Sequence, residues 1–245
     1  MRRGSQSILI AVLLCSLVMF SGCGDDDDGG PGPCVTGGEI TLPLDVGNEW
    51  YFETETSTGL RQSADTLRIT TTTEYEGETF YVGEVGGGGD QDVILLRQEG
   101  QSVYYVPELF KRRLDTPAPW GAILAQDLEE TLPWKLADFA ACAGASWVVA
   151  EVDTFIPGVG NATLLFQVTY DGRSTVETPA GDFDDAAGFR LSGGFTAPIE
   201  FTGMTQTVWF ADGVGLVKQV ATEQAGPGAP VETETSLLTG YSLVE

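Results

Sequence analysis

The chain has 245 residues, with 12 Lys and Arg against 36 Asp and Glu and a formal net charge of −24. A surface this acidic repels phosphate backbones and anionic headgroups, which excludes nucleic-acid binding and attachment to a membrane through a basic patch. Histidine is absent, so Ser-His-Asp and Cys-His nucleophile pairs, histidine general bases and nearly all zinc sites are excluded too.

At the N-terminus Arg2 and Arg3 precede an apolar run from Ile8 to Phe20. The run is too short for a stop-transfer helix and has the form of a secretory signal. The small pair Ser21-Gly22 follows, then Cys23. In this order the features resemble the lipobox of bacterial lipoproteins. The resemblance implies that residues 1–22 are removed and that Cys23 becomes the acylated N-terminus. Acyl chains would then hold the protein at the membrane, each buried CH₂ contributing about 0.8 kcal/mol. The resemblance also implies delivery to the outer membrane, because Gly24 rather than Asp follows the cysteine; periplasmic and surface faces both stay open. A plain signal peptide cleaved elsewhere is the alternative.

Residues 23–36 carry Asp25 to Asp28 followed by Gly and Pro, and with nothing to bury they are expected to form an extended, solvated tether. Beyond the signal, 223 residues keep 10 basic and 36 acidic side chains, a net charge of −26. That length suits one β domain, placed at 37–245. Cys15 leaves with the signal and Cys23 is the anchor, so Cys34 and Cys142 are a candidate disulfide in an oxidising compartment, with two free thiols as the alternative. Such a bond would contribute about 4–5 kcal/mol through loop closure.

The rest reads as short strands and turns. Trp50, Tyr51 and Phe52 stand beside Thr/Glu alternation, and turns are expected at Glu76-Gly77 and Glu99-Gly100. The glycines of 86–90 suit a hairpin tip. Leu164, Phe166, Val168 and Tyr170 recur at period two, the pattern of a half-buried strand. Further reversals are expected at Asp171-Gly172, Pro179-Ala180-Gly181 and Asp212-Gly213. Residues 107–141 break the rhythm with four prolines, so one short helix or a lid is expected there, with Gly121 to Glu130 as the helical candidate. The fold class is therefore all-β and mainly antiparallel, an open half-barrel or sandwich.

Three stretches resemble a loose group of uncharacterised bacterial lipoproteins: Val46-Gly47-Asn48-Glu49-Trp50-Tyr51, Thr178-Pro179-Ala180-Gly181-Asp182-Phe183, and Trp209 through Lys218. The resemblance implies an extracytoplasmic β-rich domain, and some members look like the half-barrels of lipoprotein carriers, which hold acyl chains on a concave apolar face. Each stretch also has a structural account, as strand, reversal and glycine-joined hairpin, with Trp50 and Trp209 read as core.

No catalytic residue or cofactor site emerges. The sequence has no G-x-S-x-G elbow and no P-loop. Asp182, Asp184 and Asp185 offer hard oxygens suited to calcium, but without EF-hand spacing an exposed acidic turn serves equally. Lys111-Arg112-Arg113 is either a solvated basic patch or an anion site. The expected function is a non-enzymatic, lipid-anchored envelope protein binding an apolar ligand, such as a lipid or acyl chain, or a partner protein. A structural or adhesive module and a carboxylate-based hydrolase are the alternatives.

Overall fold

The computed structural model describes residues 38–57, 65–86, 91–107, 131–156, 160–197, 201–224 and 230–244. All of these lie in one compact unit, Cys34–Glu245. The described regular structure is entirely β. The first half of the chain supplies β1 (Glu49–Thr56), β2 (Asp65–Tyr75), β3 (Glu78–Gly86), β4 (Gln91–Glu99), β5 (Ser102–Pro107) and β6 (Trp134–Asp138). The second supplies β7 (Ser146–Ile156), β8 (Gly160–Thr178), β9 (Gly181–Ala197), β10 (Phe201–Ala211), β11 (Gly215–Gln224) and β12 (Val231–Ser242).

The twelve strands form one antiparallel sheet in the order β6-β5-β4-β3-β2-β1-β12-β11-β10-β9-β8-β7. Each half of the chain is thus an up-and-down meander, and the first and last strands join the two halves. Eight residue pairs run from Glu49↔Ser242 to Thr56↔Glu234, with a bulge beside Tyr51. The sheet curls until its outer strands meet without pairing, making a nearly closed barrel. Strand alternation does the sorting: in β8, Ala162, Leu164, Phe166, Val168 and Tyr170 are all buried while their neighbours are not.

At the β6/β7 seam, side chains take over from the backbone ladder. The Trp147 indole Nε1 donates to the Lys135 carbonyl at 2.7 Å. The Lys135 ammonium lies 5.5 Å from the same ring, and the Trp134 and Phe166 rings lie 5.0 Å apart. Satisfying an edge carbonyl in this way is worth about 0.5–1.5 kcal/mol. It also keeps two facing edges from recruiting foreign strands.

Alternating strand direction gives the barrel two unlike ends. The connections 58–64, 87–90, 108–130, 157–159, 198–200 and 225–229 all fall at one end, and all lie outside the described residues. Short turns and a strap occupy the other. The strap, residues 38–44, precedes β1 and buries Ile40, Leu42 and Leu44. The Ile40 and Leu42 amides donate to the side-chain carbonyls of Gln101 and Gln98, at 3.1 and 2.8 Å. The Thr41 amide donates to Asp212 Oδ1 at 2.9 Å, and the Gly213 amide to the Thr41 carbonyl at 3.0 Å. Arg173 donates to the Gly38 carbonyl and, at 2.8 Å, to Asp185. The strap therefore ties β4–β5, β8–β9 and β10–β11 across the opening.

Under the strap lies an aromatic cluster centred on Phe189. It stacks on Tyr170 at 4.7 Å and meets Phe139 at 5.5 Å, with Trp147 and Phe210 each at 6.3 Å.

Two expectations are corrected. Asp171-Gly172 is not a reversal: β8 runs through it as a 19-residue strand with a bulge, where Gly172 takes φ 96°. Such a bulge needs the same glycine that a turn needs, so local sequence does not distinguish them. Within 107–141, residues 134–138 form the sheet-edge strand β6. The helix expected at 121–130 lies outside the described residues. The turns at Glu76-Gly77, Glu99-Gly100, 179–181 and Asp212-Gly213 stand where the sequence placed them.

Phe166 packs closely over Gly193. A Cβ on Gly193 would fall 2.4 Å from Phe166 Cε1, so Gly193→Ala is expected to destabilise the domain by about 1–3 kcal/mol, read from denaturant midpoints. In a Phe166→Leu background the same change should cost clearly less. Trp147→Phe should cost about 0.5–1.5 kcal/mol by removing the seam hydrogen bond.

Candidate functional site

Residues paired directly across an antiparallel ladder share a face of the sheet, so the inner wall can be traced by register. One row runs Thr54↔Ser236↔Gln219↔Val208↔Phe189↔Tyr170. The next, closer to the loop-bearing end, runs Thr56↔Glu234↔Ala221↔Gln206↔Leu191↔Val168↔Trp147. A third runs Glu232↔Glu223↔Met204↔Gly193↔Phe166↔Ala150.

The wall is two-toned. On β7 to β9 it is hydrocarbon: Leu191, Val168, Phe166 and Leu164 are buried, with Phe195 and Val152 partly so. On β10 to β12 and β1 it turns polar, through Gln206, Gln219, Glu234, Ser236 and Thr54. Gln206, Gln219 and Glu234 are only half-buried. At the strap end both sides meet in the aromatic cluster, and the difference disappears. The loop-bearing half of the interior is therefore the candidate site.

Its polar side is ordered by a short hydroxyl chain. The buried Thr54 hydroxyl donates to Asp65 Oδ2 at 3.0 Å, which leaves it to accept from Ser236 Oγ at 2.9 Å. Donors pointing at a carboxylate satisfy buried polar groups; without an adjacent base the Ser236 oxygen is not activated as a nucleophile. Across the wall, the buried Thr154 hydroxyl on β7 has no hydrogen-bond partner, a donor that an occupant could use.

The residues singled out from the sequence lie elsewhere. Cys23, Cys34, Lys111, Arg112 and Arg113 fall outside the described residues. Cys142, on the β6–β7 connection, is disulfide-bonded; the other cysteines, Cys15, Cys23 and Cys34, all precede residue 38.

Asp182, Asp184 and Asp185 sit at the start of β9, on the β8–β9 hairpin. Asp184 accepts from Thr175 at 2.9 Å and Asp185 from Arg173 at 2.8 Å, while Asp182 is exposed opposite Glu177. Their oxygens thus diverge along a hairpin. Among the described residues no group of three or more Asp, Glu or Cys is arranged to hold a metal ion.

Trp50 is core, its indole donating to the Val214 carbonyl at 2.5 Å beside Gly215. Trp209 is not. Its ring lies along Gly188, with the Lys218 ammonium 5.0 Å from its centre, and it is only partly buried. Sequence reasoning missed the polar group Gln206, Gln219 and Glu234, which spans two adjacent rows. Each member alternates with outward residues on its own strand, but only cross-strand register brings the three together.

No protein-family model matches the chain, and no curated protein matches it. Two solved structures are similar in fold. One, from Parabacteroides distasonis, is of a protein provisionally described as a lipoprotein; it is 12% identical with a TM-score of 0.45. The other, from Bacteroides fragilis, is of a provisionally described exported protein with a YmcC-like fold; it is 12% identical with a TM-score of 0.42. Each comparison covers 83% of this chain and 99% of the other.

Proposed function

We propose that the protein is a non-enzymatic, lipid-anchored component of a bacterial outer membrane that binds an amphipathic, acyl-bearing ligand at the loop-bearing end of its barrel. The lipobox-like order of Arg2, Arg3, the apolar run, Ser21-Gly22 and Cys23 supports the anchor. The two-toned wall supports the ligand. An acyl chain would lie along Leu164, Phe195 and Val152, while Gln206, Gln219 and Glu234 receive polar atoms. The aromatic cluster under the strap limits how deep a ligand enters. Burial of apolar surface supplies affinity, and a few placed polar groups fix orientation. Binding of a partner protein at the same end is the second reading, favoured by the six connections that emerge there.

We also propose that Cys142 pairs with Cys34, the cysteine left once Cys15 leaves with the signal and Cys23 is acylated.

Native mass spectrometry of residues 34–245 made in a periplasm should show an added lipid mass that denaturation removes. Leu164→Asp together with Phe195→Asp should abolish it. A bare mass from the unaltered chain would overturn the ligand reading in favour of a partner protein. The same spectrum should be two hydrogens light. Cys142→Ser should restore them and lower stability by up to about 4–5 kcal/mol.

A further inference from the structure

Three polar side chains are buried among the described residues, Asn48, Thr54 and Thr154, at 0, 1 and 8% exposure. The first two are bonded within the protein. Asn48 donates to the Pro43 carbonyl and accepts from the Val244 amide, and Thr54 donates to Asp65 and accepts from Ser236. Thr154 differs, because its hydroxyl has no partner. The Nε atoms of Arg97 and Arg173 are unpaired too, but each belongs to a guanidinium that bonds an acid through another nitrogen, Glu78 and Asp185 respectively. A buried donor left unpaired lowers stability, and a partner that arrives with a ligand recovers the loss.

Thr154 follows Ala150 and Val152 at period two on β7, and the ladder sets these three opposite Phe166, Leu164 and Ala162 of β8. The Thr154 side chain thus faces the interior, at the loop-bearing end of the hydrocarbon wall and two residues before β7 ends at Ile156. The threonine beside it in the ladder, Thr163, belongs to the outer face and has a partner there, Asp153 at 2.7 Å. Toward the strap from Thr154, the inner wall of β7 to β9 continues as Val152, Leu164, Phe195 and Phe166.

A donor held over hydrocarbon calls for an acceptor at the head of an apolar chain, and the charge of the polar wall narrows which one. Glu234 lies half-buried on the inner face of β12, and Glu223 and Glu232 stand opposite each other one row nearer the loops. On β1 and β7 to β12 the basic residues are Arg173, Arg190 and Lys218. Arg173 serves the strap, while Arg190 and Lys218 lie outward beside the buried Phe189 and Val217. A carboxylate head would meet carboxylates on this wall and no cation to offset them, a mismatch that an uncharged carbonyl avoids. We infer that Thr154 reads the ligand's linkage: its hydroxyl donates to the carbonyl oxygen of an acyl ester or amide whose chain lies along Val152, Leu164 and Phe195. The inference deepens the ligand reading above and rests on it. A hydroxyl with no bond inside the protein discriminates a ligand that accepts from one that does not.

The test is competition, read by native mass spectrometry, on the delipidated full chain carrying Cys23→Ser. The probes are 1-monolauroylglycerol, 1-O-dodecylglycerol, which joins the same head and chain by an ether, and laurate. The ester should outcompete the ether by about 3–10-fold, one hydrogen bond's worth, and laurate should bind more weakly than the ester. Thr154→Val, which keeps the shape and removes the hydroxyl, should bring the ester down to the level of the ether and leave the denaturant midpoint unchanged or higher. Thr154→Ser should keep the preference. Equal binding of ester and ether by the unaltered chain, tighter binding of laurate, or a preference that survives Thr154→Val overturns this inference and leaves the ligand reading standing. A lower midpoint in Thr154→Val also overturns it, by showing the hydroxyl bonded within the protein. Failure of the unaltered chain to bind any of the three overturns the ligand reading and this inference together.

Discussion

The pairing of β1 with β12 is the constraint on which the architecture rests. Either meander alone would be a six-stranded ribbon with one apolar face in water, and joining them at the first and last strands lets the two faces bury one another. Contacts between residues nearly 200 positions apart carry a large loop-closure cost before they return any free energy. The ladder from Glu49↔Ser242 to Thr56↔Glu234 must therefore be secured at once by side chains. Trp50, Phe52 and Leu238 are buried on it, and the Asn48 side chain takes the Val244 amide.

Closing the sheet at the termini leaves its opposite edge in mid-chain, between β6 and β7. The sequence meets this with tryptophan on both sides of the gap. Trp147 satisfies a carbonyl that the absent ladder would otherwise leave bare, and Trp134 packs through the gap onto Phe166. The Trp147 ring also touches Phe189, so the seam and the aromatic cluster support each other. An interior filled this way at one end and polar on one wall at the other is graded along its axis. That gradient is what confines the candidate site to the loop-bearing half.

Much of this was legible locally. The period-two run Leu164 to Tyr170 gave the most buried strand, and most glycine-bearing reversals stand where they were expected. What failed did so for identifiable reasons. Gly172 serves a bulge with the same backbone freedom that a turn would use. Pro133 lies immediately before β6 and disguised it as part of an insertion. Trp209 has the bulk of a core residue, but its ladder position puts it beside Gly188 under a lysine. The candidate site was out of reach altogether, because Gln206, Gln219 and Glu234 are unremarkable until the three strands β10, β11 and β12 are aligned. The strap was hidden differently: Ile40, Leu42 and Leu44 alternate like a strand, yet the Ile40 and Leu42 amides go to glutamine side chains and the Thr41 amide to a turn aspartate.

The strap also has a mechanical meaning. A pull on the chain ahead of Gly38 does not begin by peeling β1 from its neighbours. It is met by Arg173 at Gly38, Gln101 at Ile40, Asp212 and the Gly213 amide at Thr41, and Gln98 at Leu42, attachments spread over both halves of the barrel. Load shared across the mouth must break these bonds together before any ladder opens, and resistance to force is set by that unfolding barrier rather than by equilibrium stability. For force arriving along the chain ahead of the strap, the entry point is thus built as a harness.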